Sequence, residues 1–280
     1  MKHTPMLLIW RGVAGLAMVV ALNMGSAHAQ AVFATPEAAA DAMVDAIARN
    51  DDDAVKRVLG PEFRRFVPAG SVAREDVYSF LGAWAKRHAI ETSSPSSANL
   101  VVGDSGWVFP VPLVRTGKGW QFDTRAGIAE MQRRRIGRNE LAAIDTLRML
   151  CDAQERYRAT AGNGKPAARL VSRPGRQDGL YWPVADEANA SPLGADALVM
   201  QADVPADAAF HGYRFAVAPA KDDGCAFVAW PAVYGTSGVR SFAIGSDRQV
   251  MERDFGRRTN ATDYGKPRTR DDAGWTLVSR

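Results

Sequence analysis

Apolar residues return at helical spacing through Ala39, Met43, Ala46 and Ile47, just after Thr35-Pro36, where threonine suits an N-cap and proline the first helical position. This predicts a first helix. Asn50-Asp51-Asp52-Asp53 ends it and can cap a short second helix through Val55, Val58 and Leu59, which Gly60-Pro61 stops. A third helix is expected over 74–87, with Val77, Phe80, Leu81 and Trp84 on one face. The period then falls to that of strands. Residues 99–103, 107–114 and 119–123 are short β-branched and aromatic runs separated by glycine-bearing turns, which predicts an antiparallel meander.

Helical spacing returns twice more. A linking helix is expected over 126–135. A second is expected to start at Asn139 as N-cap, with Glu140 in its first turn and Leu141, Ile144, Leu147, Cys151 and Tyr157 along it. From 161 to 209 the chain is rich in Gly, Pro, Asp and Ala, which reads as a long ordered loop with short helices. Strands resume at 213–217, 226–231, 239–244 and 250–254, with Gly245-Ser246-Asp247-Arg248 as a hairpin turn. An irregular, wrapped tail over 256–280 closes the chain, with Tyr264, Trp275, Leu277 and Val278 as its apolar points. The pattern is α+β in two units: an N-terminal domain over 30–125 and a C-terminal domain over 126–280.

The first 29 residues stand apart. Lys2 and Arg11 precede an apolar run from Val13 to Met24, followed by Ala27-His28-Ala29, the order of a secretory signal peptide. That run is shorter than the roughly 20 residues a spanning helix needs. A periplasmic protein with no stable membrane anchor after cleavage near Ala29 is expected. Removing Lys2 and Arg11 leaves 33 basic against 31 acidic residues, so the global charge does not point to nucleic acid. Cys151 and Cys225 are the only cysteines, and an oxidising compartment favours their pairing; two buried free thiols are the alternative.

Chemistry is sparse. The chain has no phosphate-binding glycine loop, Gly-x-Ser-x-Gly elbow, paired-histidine zinc helix or Cys-x-x-Cys, so no cofactor or metal is expected, although an enzyme is not excluded. The acidic triplet Asp51-Asp52-Asp53 lacks calcium-hand spacing and reads as a cap. Arg134, Arg135 and Arg138, beside Arg133, form either a solvated basic junction or a surface for an anion or partner. His211 and Tyr213 stand at a strand entrance, where His211 is a turn histidine or a general base wanting a carboxylate. Asp178, Tyr181 and Trp182 surround a glycine turn that either delivers aromatics to the core or makes a sugar-binding shelf, and Trp230 and Tyr234 carry the same two readings.

Several segments together, "RRRIGRNELAAI", "DAQERY", "GRQDGLYWP", "SPLG", "FHGYRF" and "FVAWPAVYGTSGVRSFAI", resemble bacterial exported proteins catalogued as domain of unknown function 2950. The resemblance covers nearly the whole chain after residue 30 and implies an envelope protein without supplying an activity. The run ending in "GKGWQFD" is similar to the last strands of cone-shaped domains of the nuclear transport factor 2 type, which implies helices on a curved sheet. The long helix from "RNELAAI" with the "GYRF" and "WPAVYGTSGVRSF" strands resembles the globular part of pilins and pseudopilins, which implies one helix across an antiparallel sheet, with Cys151 facing Cys225. The expected function is a non-catalytic binding or assembly module for an envelope protein, peptidoglycan or an apolar ligand. The alternative is a hydrolase of cell-envelope material using Asp178 and His211.

Overall fold

A computed structural model of the chain describes residues 29–65, 67–183, 190–219, 224–257 and 274–278. Residues 1–28 of the expected signal peptide and Tyr264 lie outside them. The first helix, α1 (Pro36–Ala48), starts at Thr35, whose hydroxyl accepts from the Ala38 amide at 3.1 Å. Asp51 caps α2 (Asp52–Leu59) in the same way through Ala54, at 2.9 Å. Gly60 ends α2 at φ +92°, a conformation that favours glycine. The third helix is α3 (Arg74–Lys86).

The first sheet contains β1 (His88–Ser94), β2 (Ser97–Val102), β3 (Trp107–Val108), β4 (Leu113–Thr116) and β5 (Gly119–Phe122), in the order β1-β2-β4-β5 with β3 also on β2. All pairs are antiparallel. Strand β1, "HAIETSS", was not expected, because it has no buried residue and no apolar alternation to announce it; its pairing with β2 holds it in place. The alternate residues Ala98, Leu100 and Val102 of β2 are buried, and with Leu113 and Phe122 they pack against Ala39, Met43, Val58 and Leu59 in one core.

The largest departure from the sequence reading is the fourth helix. The expected linking helix and the helix from Asn139 are one element, α4 (Thr124–Ala159), of 36 residues, capped at its start by Asp123, which accepts from the Ala126 amide at 3.0 Å. At 1.5 Å per residue it is about 54 Å long. The expected domain boundary at 125/126 therefore falls in the first turn of α4. Asn139 is not a cap: its side-chain amide donates to the Ser237 carbonyl at 2.8 Å, so the residue is helical and its polar group serves another segment.

The second sheet has the order β10-β9-β8-β7-β6, from β6 (Tyr213–Val217), β7 (Phe227–Pro231), β8 (Ser241–Ile244), β9 (Val250–Arg253) and β10 (Thr276–Leu277). The C-terminal half of α4 lies on it. Ile144, Leu147, Leu150 and Cys151 of the helix pack with Phe215, Phe227, Phe242 and Ile244 of the strands. Cys151 and Cys225 form a disulfide with a Cα separation of 5.2 Å. The opposite face, Val228, Trp230 and Ala243, is covered by Trp275. Within the expected irregular tail, Thr276–Leu277 add an edge strand beside β9, next to the buried Trp275 indole; residues 258–273 and 279–280 lie outside the described residues. The fold is α+β, with three helices on one antiparallel sheet and a long helix on a second. Among the described residues no helix is long and apolar enough to cross a membrane.

Candidate functional site

Between Gly127 and Ala143 no residue of α4 is buried, so this stretch crosses from one core to the other. Gly127 marks the N-terminal end of the crossing. A Cβ there would lie 2.7 Å from Val111, so glycine lets the helix approach the first sheet. The expected arginine surface sits in the crossing and is largely engaged. Arg134 donates to Glu130 at 2.7 Å and to the Val108 carbonyl at 2.9 Å, while Arg133 pairs with Glu130 and Arg135 donates to Gln132. These hydrogen bonds, that from Arg134 foremost, lower the Glu130 pKa. Arg138 is exposed.

The same stretch grips the loop 232–240. Gln132 donates to the Gly235 and Thr236 carbonyls at 3.1 and 2.7 Å, Asn139 to Ser237, and one Glu140 oxygen accepts both the Val239 and Arg240 amides at 2.9 Å. The sequence reading did not find this latch, because Gln132 and Glu140 lie about a hundred residues from the groups they satisfy. Gly212 packs beneath it, where a Cβ would be 2.8 Å from Ser237 and 2.9 Å from Asn139. His211, exposed and left-handed at φ +48°, stands beside it with its ring 4.3 Å from that of Phe210.

The other expected residues are dispersed. Tyr213 is fully buried, with its hydroxyl donating to the Arg240 carbonyl at 2.8 Å. Trp230 is in the outer core, and Trp182 is buried against Tyr157, ring centroids 6.4 Å apart. Tyr181 is half-buried and bridges Val171. Asp178 accepts from the Arg173 amide at 3.0 Å and pairs with the Arg173 and Arg169 side chains; the backbone hydrogen bond first, then the arginine contacts, lower its pKa. The Tyr234 hydroxyl donates to Asp254, and burial followed by that carboxylate raises the Tyr234 pKa.

A well-formed concavity among the described residues lies elsewhere, in the N-terminal unit. A cavity of about 760 Å³ lies beneath α3 and the loop before it. That is within the roughly 300–1,000 Å³ range of small-molecule sites. Val77, Phe80 and Ala83 of α3 face Val102, Trp107 and Phe109 across it, Ile47, Val55 and Leu59 close one side, and Met131 of α4 reaches in from another. The apolar face of α3 was legible in the sequence: Phe80, Leu81, Ala83 and Trp84 are half-buried against the N-terminal core, and Val77, Phe80 and Ala83 also line the cavity, so none of them is fully buried. Phe80, Trp107 and Phe109 touch one another edge-on or tilted, with centroids 6.0–6.3 Å apart. Asn50, Asp51, Asp52, Arg64, Asp76 and Ser105 supply the polar part of the lining.

The cavity can exclude water from an apolar body and offer it aromatic surface with a few polar contacts. No group of three or more His, Cys, Asp or Glu side chains that could hold a metal occurs among the described residues. No curated protein and no solved structure shows significant similarity to this chain. The model of the family described as "Protein of unknown function (DUF2950)" matches residues 30–278, and the chain belongs to that family.

Proposed function

We propose that this protein is exported to the bacterial envelope and there acts as a non-catalytic binding module whose N-terminal unit takes an apolar small molecule into the cavity beneath α3. The observation that carries the reading is the cavity itself: about 760 Å³, walled by Val77, Phe80, Trp107 and Phe109, under a helix with no buried residue of its own. An occupant would add apolar contacts to Val77, Phe80 and Ala83 of α3 and stabilise the helix in proportion to the surface buried. Export rests on the charged, apolar and Ala-x-Ala order of the first 29 residues. An apolar ligand is favoured over an envelope protein or peptidoglycan because the concave surface is mostly apolar, whereas Arg134, the half-buried member of the arginine stretch, is occupied by Glu130 and the Val108 carbonyl. The hydrolase alternative has less support. Asp178 is held as an ion pair by Arg173 and Arg169, and no carboxylate is paired with His211 among the described residues.

Titration of the mature chain with the neutral fluorophore N-phenyl-1-naphthylamine tests the reading. Saturable enhancement at one site, with a dissociation constant on the order of micromolar, is expected. Val77→Trp, which places an indole in the cavity from α3, should weaken it severalfold while leaving the far-UV circular dichroism spectrum unchanged. Enhancement that never saturates, or that is the same in a folded Val77→Trp variant, would remove the proposal.

A further inference from the structure

The charges around the cavity narrow the ligand class, on the footing of the binding reading above. The ionisable side chains in its lining are Asp51, Asp52, Asp76 and Arg64. Arg64 is ion-paired with Asp52, so its charge is met within the protein. That leaves Asp51 and Asp76. Each accepts one backbone amide at a helix start, Asp51 from Ala54 at 2.9 Å and Asp76 from Ala73 at 3.2 Å. The helix dipole offsets only about half a charge at each place, so both carboxylates leave the lining negative.

The aromatic walls act in the same sense. Phe80 follows Asp76 by one helical turn, on the same side of α3, and is 6.3 Å from both Trp107 and Phe109. Aromatic faces carry negative potential and attract cations, more strongly where water is excluded. The protein already uses this attraction at the cavity. The Arg64 guanidinium lies 4.6 Å over the ring of Phe63, a lining residue, and that of Arg134 lies 6.0 Å from the Trp107 ring. A carboxylate ligand, by contrast, would meet two carboxylates and only a guanidinium already paired.

We infer that the cavity selects an apolar cation, a hydrophobic body carrying one amine or quaternary ammonium group, with the charge near Asp76 and the aromatic cluster of Phe80, Trp107 and Phe109. Three probes of equal chain length, each below its micellar concentration or, for the alcohol, its solubility limit, separate the possibilities by displacement of the naphthylamine: dodecyltrimethylammonium, 1-dodecanol and dodecanoate. The ammonium is expected to bind about tenfold more tightly than the alcohol, and the carboxylate most weakly. In Asp51→Asn/Asp76→Asn the amide oxygens can still accept the Ala54 and Ala73 amides, so the helix starts are kept. That variant should cut the ammonium preference over the alcohol from about tenfold to the few-fold that the aromatic rings supply, with alcohol affinity unchanged. Equal binding of ammonium and alcohol by the wild type, tightest binding of dodecanoate, or an ammonium preference undiminished by the double substitution overturns the charge assignment and leaves the cavity reading standing. Failure of the fluorophore and of all three probes to bind overturns both.

Discussion

Asp178 shows how far a side chain's surroundings change its meaning. Next to Gly179 and two aromatics it could have been a solvent-facing carboxylate beside a sugar shelf; its partners are instead the Arg173 amide and the Arg173 and Arg169 side chains. Because these contacts lower its folded pKa below the ordinary 3.8, Asp178 favours the folded state above that ordinary value. The contribution fades as the pH falls through the lowered value. Asp178→Asn should therefore loosen the segment that carries Tyr181 and Trp182 at neutral pH, measured as faster hydrogen exchange at the Leu180 and Tyr181 amides, which bond to Arg169 and Leu170. The difference from wild type should shrink below about pH 4. A difference that persists or grows in acid would mean that the charge of Asp178 is not what orders the segment.

At the scale of elements, α4 is one helix because its middle is held from outside. Gly137 weakens a helix interior by about 1 kcal/mol relative to alanine, and residues 128–142 contribute nothing to either core's fully buried set. The hydrogen bonds of Gln132, Asn139 and Glu140 to the loop 232–240 support the crossing, and that loop in turn gains partners for its carbonyls and amides. Glu140 is the strongest single contact, with one carboxylate oxygen taking two amides. Glu140→Ala should lower stability against urea by about 2 kcal/mol, since it leaves the Val239 and Arg240 amides without their acceptor. Arg138→Ala, at an exposed position on the same helix, serves as the control and should change little. Equal stability of the two variants would mean the latch carries no energy.

For the whole molecule the consequence is two hydrophobic cores threaded by one helix. The N-terminal half of α4 closes the cavity unit through Met131 and Gly127, and the C-terminal half is part of the second core. The Cys151–Cys225 disulfide binds that half of α4 to the segment entering β7 across a sequence separation of 74 residues. Closing a loop of that size stabilises a fold by about 4 kcal/mol in the chain-entropy model. Cys151→Ala should lower the thermal midpoint by roughly 8–16 °C. Because neither cysteine touches the cavity, naphthylamine binding at 25 °C should survive the substitution. Non-reducing peptide mapping should recover one cross-linked pair; two alkylatable thiols in the native protein would refute the bond.

Local chemistry alone determined much of this protein. Thr35-Pro36, Asp51 and Gly60 mark helix ends because capping is settled within three or four residues, while alternation along β2 and the start of β6, and the short apolar runs of β7 and β8, buried at every position, announce strands from neighbouring residues alone. Family membership was legible for a related reason: its motifs are runs of neighbouring residues spread over 30–278. Where the partner is remote, sequence reading failed or stopped. Asn139 has the chemistry of a cap and also of a side-chain donor, and only the proximity of Ser237, 98 residues on, decides which it is. Strand β1 is polar and is made a strand by pairing with β2, not by its own pattern. The cavity is the clearest case. The pattern of α3 says that one face avoids water, but it cannot say whether that face meets side chains or space, since this depends on how Ile47, Phe80, Val102, Trp107 and Met131 are brought round a common volume by elements far apart in the chain.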